Sequence, residues 1–377
     1  MGDQVKRVLG SYEAVHLVIE DSVTTFIPDA FFQAYTTICS ISIGSGISSV
    51  RRHAFAHLPN VEGTIVIPDS VQDIGTHAFY GMKMVTSVRI GEGVTTIGSS
   101  AFAGLCMVTD LIIGGSVTHI ESSAFGGSSN QHGYPSVDTM SKVTTLSLPD
   151  SLLTIGSYAF YRMSGVTTLT LGKGIQSIGA NAFYDMSSMN KELRLPESVT
   201  ELSAKTFYGM NSVPALVMGS KLLHIPNSAF SNMGAVTTLQ LGTGVTSIGN
   251  SAFFGMQALS GVLTIPPSVT SIGDHVFRAN GGMPSVTGLV LGDGLISIGS
   301  YAFYQMTGLS GELTLPKTVT TIGEGAFSGT TQPLTLYLPK TLTIGNNAFL
   351  GMRAYMAPGT DPEIFRDYGG TVVSHMV

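Results

Sequence analysis

"SIGANAFYDM", residues 177–186, sets a glycine, an asparagine, an aspartate and two adjacent aromatics within ten positions, the density of a catalytic loop. The same wording returns as "IGTHAFYGM" at 74–82, "TIGSYAFYRM" at 154–163, "SIGNSAFFGM" at 247–256 and "SIGSYAFYQM" at 297–306. A reactive loop occurs once, whereas a word repeated along the chain is scaffold. With the phenylalanine of each word as the ruler, fourteen units are counted, at Phe31, Phe55, Phe79, Phe102, Phe125, Phe160, Phe183, Phe207, Phe230, Phe253, Phe277, Phe303, Phe327 and Phe349. Successive spacings run from 22 to 26 residues apart from one of 35, between Phe125 and Phe160. A period of about 20–29 residues is that of leucine-rich repeats.

Within a unit the pattern is L-x-L-[GP]-x-[GST]-V-T-x-I-G-x-x-A-F-x-x-M, as in Leu169, Leu171, Gly172, Gly174, Ile175, Ile178, Gly179, Ala182, Phe183 and Met186. The L-x-L alternation is a short strand with two side chains inward. Glycine or proline directly after it turns the chain, and the Ile-Gly pair supplies a second corner. From the second strand residue to the phenylalanine the interval is 12 residues in every unit but the last, where Leu338 to Phe349 is 11. From the phenylalanine to the next strand it varies from 11 to 14, with one outlier of 23. One arc of the coil is therefore fixed by packing and the other tolerates insertion, because each coil buries its apolar residues only against its neighbours.

These features predict an α/β-type repeat solenoid, a leucine-rich-repeat coil stack dominated by short parallel β-strands and turns, with fourteen repeats of about 23–24 residues. Residues 1–14 form an N-terminal lead-in, 15–352 the solenoid, and 353–377, which abandon the motif, a C-terminal cap covering the last strand edge. The long interval contains "GGSSNQHGYPSVDTMSK", 126–142, whose Gly, Ser, Asn and Pro predict an insertion loop ejected from the solenoid.

Composition narrows the function. Only 11% of residues are charged, against about 25% in ordinary soluble domains, so the polar surface consists largely of Ser, Thr and Gly. A net charge of -6, with no basic cluster larger than Arg51 and Arg52, excludes a nucleic-acid footprint. No stretch approaches the length of about 18 apolar residues needed to span a membrane, and the opening "MGDQVKRVLGSYEAVHLVIEDS" lacks the apolar run of a signal peptide.

The words "LRLPESVTELSAKTF", 193–207, and "LTLPKTVTTIGEGAF", 313–327, resemble the BspA-like leucine-rich-repeat family. The resemblance extends over about residues 15–352. It implies a surface or secreted adhesion or interaction protein of the kind found in bacteria and protists. Two features depart from the family. Where it places Cys three residues after the Phe, this chain has Met82, Met163, Met186, Met210, Met233, Met256, Met306 and Met352, with Leu58 and Leu105 in two other units. Thioether and thiol both fill apolar space, so the coil is expected to persist. The second departure is the missing export signal, which leaves the compartment unassigned: the resemblance suggests the cell surface or secretion, and the sequence itself carries no address.

Candidate chemistry dissolves into the repeat. "GKG" at 172–174 with Gly179 resembles a phosphate-cradling loop, yet the spacing is neither that of a dinucleotide fold nor that of a P-loop, and "GSG", "GEG", "GTG" and "GDG" stand at the same place in other units. Turn glycines account for all of them. His53 and His77 fall two residues before their Phe in adjacent coils, roughly 5 Å apart by strand spacing, but no third ligand completes a metal set. Asp69, Ser70 and His77 can be forced into a triad, while Asp-Ser recurs at 150–151 as a turn after proline. No catalytic, cofactor or metal site is therefore expected. Cys39 and Cys106 lie three coils apart, beyond the reach of a disulfide.

What remains is surface. The outward residues of the L-x-L strands are small, hydroxylated or apolar, with Arg89 and Arg194 as the two cations. The position after each Phe carries Tyr80, Tyr161, Tyr184, Tyr208, Phe254 and Tyr304, pointing outward or sideways. These eight residues are the candidate partner-binding set, since Tyr buries much area at small entropic cost. The sequence reads as a non-catalytic interaction or adhesion scaffold contacting protein or glycan partners through an extended solenoid surface. The alternative is a structural repeat protein that self-associates into a larger assembly.

Overall fold

The computed structural model describes residues 15–24, 26–27, 29, 37–127, 139–356, 358 and 361–372. Residues 1–14, Phe31 and most of the 126–142 insertion lie outside them. The chain divides into two compact units, Met1–Met189 and Asn190–Val377, each a parallel β-solenoid.

In the first unit the L-x-L words form strands that pair in parallel, such as Glu62–Ile67 with Met84–Ile90 and that strand with Asp110–Ile112. Alternation places Ile65 and Ile67 in the core and Val66 in solvent, as a period of two requires. The Ile-Gly corners form a second sheet of two-residue strands, running from Phe26–Ile27 through Ser49–Val50, Asp73–Ile74, Thr96–Ile97, His119–Ile120 and Thr154–Ile155 to Ser177–Ile178. Its glycines are sterically required. A Cβ on Gly179 would stand 2.4 Å from the backbone nitrogen of Ser157 in the preceding coil.

A third row of inter-coil bonds runs through the Ala-Phe turn. The N–H of Phe55 donates to Ala78, Phe79 to Ala101 and Phe102 to Ala124, each at 2.8 Å. The residue two before each Phe adopts a left-handed backbone: His53, His77, Ser100, Ser123, Tyr158 and Asn181 have φ between 53° and 60°. Such a conformation is uncommon outside glycine. It persists because His53, Phe55 and His57 all donate their N–H groups to the next coil, at 3.0, 2.8 and 2.8 Å.

Inside, the phenylalanines form a column. Ring centroids of Phe79 and Phe102 are 5.1 Å apart with planes 1° from parallel, and Phe102–Phe125, Phe125–Phe160 and Phe160–Phe183 follow at 5.3–5.4 Å. Met82, Met163 and Met186 are fully buried, so methionine occupies an interior slot as the sequence predicts.

The second unit repeats the plan. Its corner strands are His224–Ile225, Ser247–Ile248, Ser271–Ile272, Ser297–Ile298, Thr321–Ile322 and Thr343–Ile344, in that order across one sheet. Phe207, Phe230, Phe253, Phe277, Phe303, Phe327 and Phe349 stack at 5.2–5.9 Å. Val217, expected in solvent, is 9% exposed. It lies in register between Arg194 and Gln240, two longer side chains.

The last coil meets a different segment. The strand Arg353–Met356 pairs with Thr371–Val372 around the helix Pro362–Asp367, whose Asp361 side chain accepts from the Glu363 N–H. Phe349 and Gly351 donate their N–H groups to Tyr368 and Gly369, and buried Phe365 lies 5.3 Å from Phe349 at a 49° tilt.

Polar side chains join the coils too. Thr95 donates to the Gln72 carbonyl and Thr118 to that of Thr95, with the same row at Thr246 and Thr270 in the second unit. Carboxylates at the turn after the strand accept the N–H of the following coil: Asp69 from Glu92, Asp150 from Lys173 and Glu197 from Ser220. These backbone bonds are the main cause holding the Asp150 and Glu197 carboxyls below their ordinary range.

Candidate interaction surface

The six aromatics following the Phe are all half-buried, lying along the flank of the coil rather than projecting from it. The buried Phe before each fixes this: with that side chain inside, its successor is turned sideways, and the turn holds one face of the ring against the coil.

In the first unit Tyr161 and Tyr184 stack at 5.0 Å with planes 22° apart. Arg162 places its guanidinium 5.5 Å from the Tyr161 ring, and its Nε lies 3.5 Å from the Asp185 carboxylate. Tyr158 leans on Tyr161 at 5.5 Å. Burial pushes the Tyr161 phenol above its ordinary value, so it stays neutral and able to donate at physiological pH. Tyr80 stands apart from that group, edge-on to His57 and His77 at 5.1 and 5.2 Å.

In the second unit the Tyr208 hydroxyl accepts from Asn232 at 2.6 Å. Tyr304 is edge-on to Tyr301 at 5.7 Å, and the Arg278 guanidinium lies 5.1 Å from the Tyr304 ring. The two strand-face cations are both engaged. Arg89 pairs with Asp110 at 3.6 Å and Arg194 with Glu192 at 2.8 Å, in exposed positions where such pairs contribute little.

The residues two before the Phe add contacts that the sequence reading treats only as candidate ligands. His53 and His77 stack at 4.7 Å, 5° from parallel. They are half-buried rather than freely exposed, and the buried Nδ1 of each has no hydrogen-bond partner. Among the described residues no group of three or more His, Cys, Asp or Glu is placed to hold a metal. His275 and Tyr301 stack likewise at 5.3 Å. The signal for these pairs was present in the sequence as ring-bearing residues at one slot of adjacent units. Arg278 occupies the post-Phe slot without being aromatic, so a pattern of aromatics does not reveal it. Cys39 and Cys106 are half-buried free thiols.

The model of the BspA type leucine rich repeat region matches residues 10–132, 138–260 and 254–355, with six copies. The chain belongs to the BspA-type leucine-rich-repeat family. Proteins of this repeat family are generally interaction or surface scaffolds and typically non-catalytic. A leucine-rich repeat protein from Bacteroides ovatus is similar at 18% identity over 99% of each chain, with a TM-score of 0.64. A leucine rich cell surface protein from Faecalibacterium prausnitzii is 16% identical over 97% of this chain and 96% of its own, with a TM-score of 0.43. The pneumococcal vaccine antigen PcpA is 18% identical over 100% and 98%, at 0.46. The Bacteroides likeness is one of fold. No curated protein sequence matches. Among the described residues of this BspA-type chain no helix is long and apolar enough to cross a membrane.

Proposed function

We propose that the chain is a non-catalytic interaction scaffold that engages partner proteins, in an adhesive role at a cell surface or in secreted form, through the aromatic flank of its coils. The observation that carries this is the Tyr161–Tyr184 stack at 5.0 Å beside Arg162, two half-exposed rings and a cation held by the fold before any partner arrives. Tyr and Arg dominate binding hot spots, and a side chain already ordered loses little entropy on docking. Carboxylates that would attract attention as acids or bases, such as Asp69, Asp150 and Glu197, accept backbone N–H groups of the next coil, which is structural work.

The test is capture of proteins from the native source on immobilised chain, comparing the parent with the combined Tyr161→Ser, Tyr184→Ser and Tyr208→Ser variant. Lost capture at an unchanged melting temperature supports the reading. Undiminished capture removes the tyrosines from it. A second reading, self-association, is favoured by one feature: Val18, Val66 and Ile112 on the strand face of the first unit are 47%, 51% and 44% exposed. Light scattering that shows mass growing with concentration would transfer the assignment to that reading.

A further inference from the structure

Asn280–Gly281 is the one Asn-Gly step in the sequence, and it falls where the unit of Phe277 departs from the repeat. The position three after the Phe, methionine in eight other units, is here Asn280, and the buried methionine comes three residues later, at Met283. The extra residues leave the coil as a turn. Gly282 donates its N–H to the Ala279 carbonyl at 3.1 Å, and Gly281 has φ of 89°, the geometry of a type II turn with glycine at its third position. Asn280 is exposed, and a Cβ on Gly281 would meet nothing within 4 Å. Neither the Asn280 side chain nor the Gly281 N–H makes a hydrogen bond to any described residue.

We propose that this turn is a modification site, at which Asn280 deamidates without an enzyme. The Gly281 nitrogen, its proton taken by solvent hydroxide, attacks the carbonyl carbon of the Asn280 side chain. The new carbon–nitrogen bond closes a five-membered succinimide, and the side-chain nitrogen leaves as ammonia after taking a proton from water. Water then opens the ring at either carbonyl, giving aspartate or, with the chain rerouted through Cβ, isoaspartate. The net change is amide plus water to acid plus ammonia. Glycine favours the attack because it puts no Cβ beside the nitrogen. Ring closure needs the peptide plane between the two residues to rotate, and a single turn hydrogen bond opposes that rotation. Asn227 and Asn250, equally exposed and each followed by serine, are held differently. Their side-chain oxygens accept the N–H groups of Asn250 and Asp274 at 2.8 and 2.9 Å, while Ser228 and Ser251 donate theirs to the Asn250 and Asp274 carbonyls at 2.9 and 2.8 Å. Side chain and attacking nitrogen are both committed to the next coil there, and at Asn280 neither is. The chemistry is independent of any partner, but its product adds a negative charge two residues from Arg278, whose guanidinium lies 5.1 Å from the Tyr304 ring on the aromatic flank.

The experiment incubates the full folded chain at physiological temperature in neutral and in mildly alkaline buffer, then maps its peptides by mass spectrometry after digestion at low pH. Fragmentation distinguishes aspartate from isoaspartate. Both products are expected at position 280, accumulating faster in the alkaline buffer, while Asn227 and Asn250 stay intact until the chain is unfolded in denaturant. Gly281→Ala is expected to slow the reaction roughly tenfold or more, since a Cβ then crowds the nitrogen. Asn280→Gln, an exposed change that leaves the backbone as it is, is expected to abolish it, because the longer side chain would have to close a six-membered ring. If Gly281→Ala does not fold, Asn280→Gln carries the test through the ammonia released by the intact protein. An unmodified Asn280 after prolonged incubation overturns the proposal. So does reaction of Asn227 or Asn250 at the same rate in the folded chain, or ammonia release unchanged by Asn280→Gln.

Discussion

At the scale of single residues the repeat places like side chains one coil apart, and this makes histidine a stability sensor. Burial, then the nearby charge of Arg52 and then of His57, holds His53 below its ordinary value of 6.5, with Asp29 opposing. Burial, then His53, Arg52 and His57, lowers His77 in the same way. Tyr80, edge-on to His77, is the other titratable neighbour. In the unfolded chain both imidazoles take up protons as pH falls through about 6.5, while the folded pair remains neutral to lower pH. The unfolded state then binds more protons, so stability is fully present above that value and is lost progressively below it. Melting temperature measured from pH 7.5 to 5.5 should fall more for the parent than for a His53→Asn/His77→Asn variant, asparagine being tolerated at these left-handed positions. Parallel curves would show that the stacked pair titrates normally.

At the scale of elements, a solenoid coil donates its Ala-Phe turn N–H groups forward, so the final coil needs an acceptor that is not another coil. Residues 361–372 supply it through the Tyr368 and Gly369 carbonyls, and Phe365 closes the aromatic column against Phe349. These contacts come from within the 353–377 segment expected as a cap, and we propose that capping the last coil is their role. Phe365→Ala is expected to destabilise the second unit by about 3–5 kcal/mol, as for other fully buried phenylalanines, and to raise amide exchange first at Phe349 and Gly351. A nearly neutral effect in chemical denaturation, with those amides still protected, would mean that the terminal coil closes without this segment. The strands, corners and aromatic column were legible in the sequence because each is a fixed slot in the period. The left-handed turns were not, since His, Ser, Tyr, Lys and Asn share that slot and only the cross-coil bonds reveal its conformation.

At the scale of the whole molecule, a chain with 11% charged residues and 43% hydrophobic content must derive its stability from neutral interactions. The ion pairs among the described residues agree: Arg89–Asp110, Lys173–Asp150, Arg194–Glu192 and Arg366–Glu363 are exposed and Arg162–Asp185 is partly so, positions where such pairs contribute little. In contrast, the Phe columns run from coil to coil, the methionine slots and the Thr-to-carbonyl bonds recur in many of the coils, and none of them carries net charge. Salt screens charge over about 10 Å at 0.1 M and about 3 Å at 1 M, so it acts on the minor contributors and leaves the repeated ones intact. Melting followed by circular dichroism at neutral pH should therefore change by only a few degrees between low salt and about 1 M sodium chloride. Screening removes weak attraction, while the apolar core loses nothing. A fall of ten degrees or more would assign the carboxylates at Asp69, Asp150 and Glu197 a larger electrostatic share than their single backbone hydrogen bonds imply. Exchanging Asp150 for Asn, which preserves the acceptor without the charge, then decides between the two accounts: retained stability leaves the hydrogen bond as the cause, and lost stability leaves the charge.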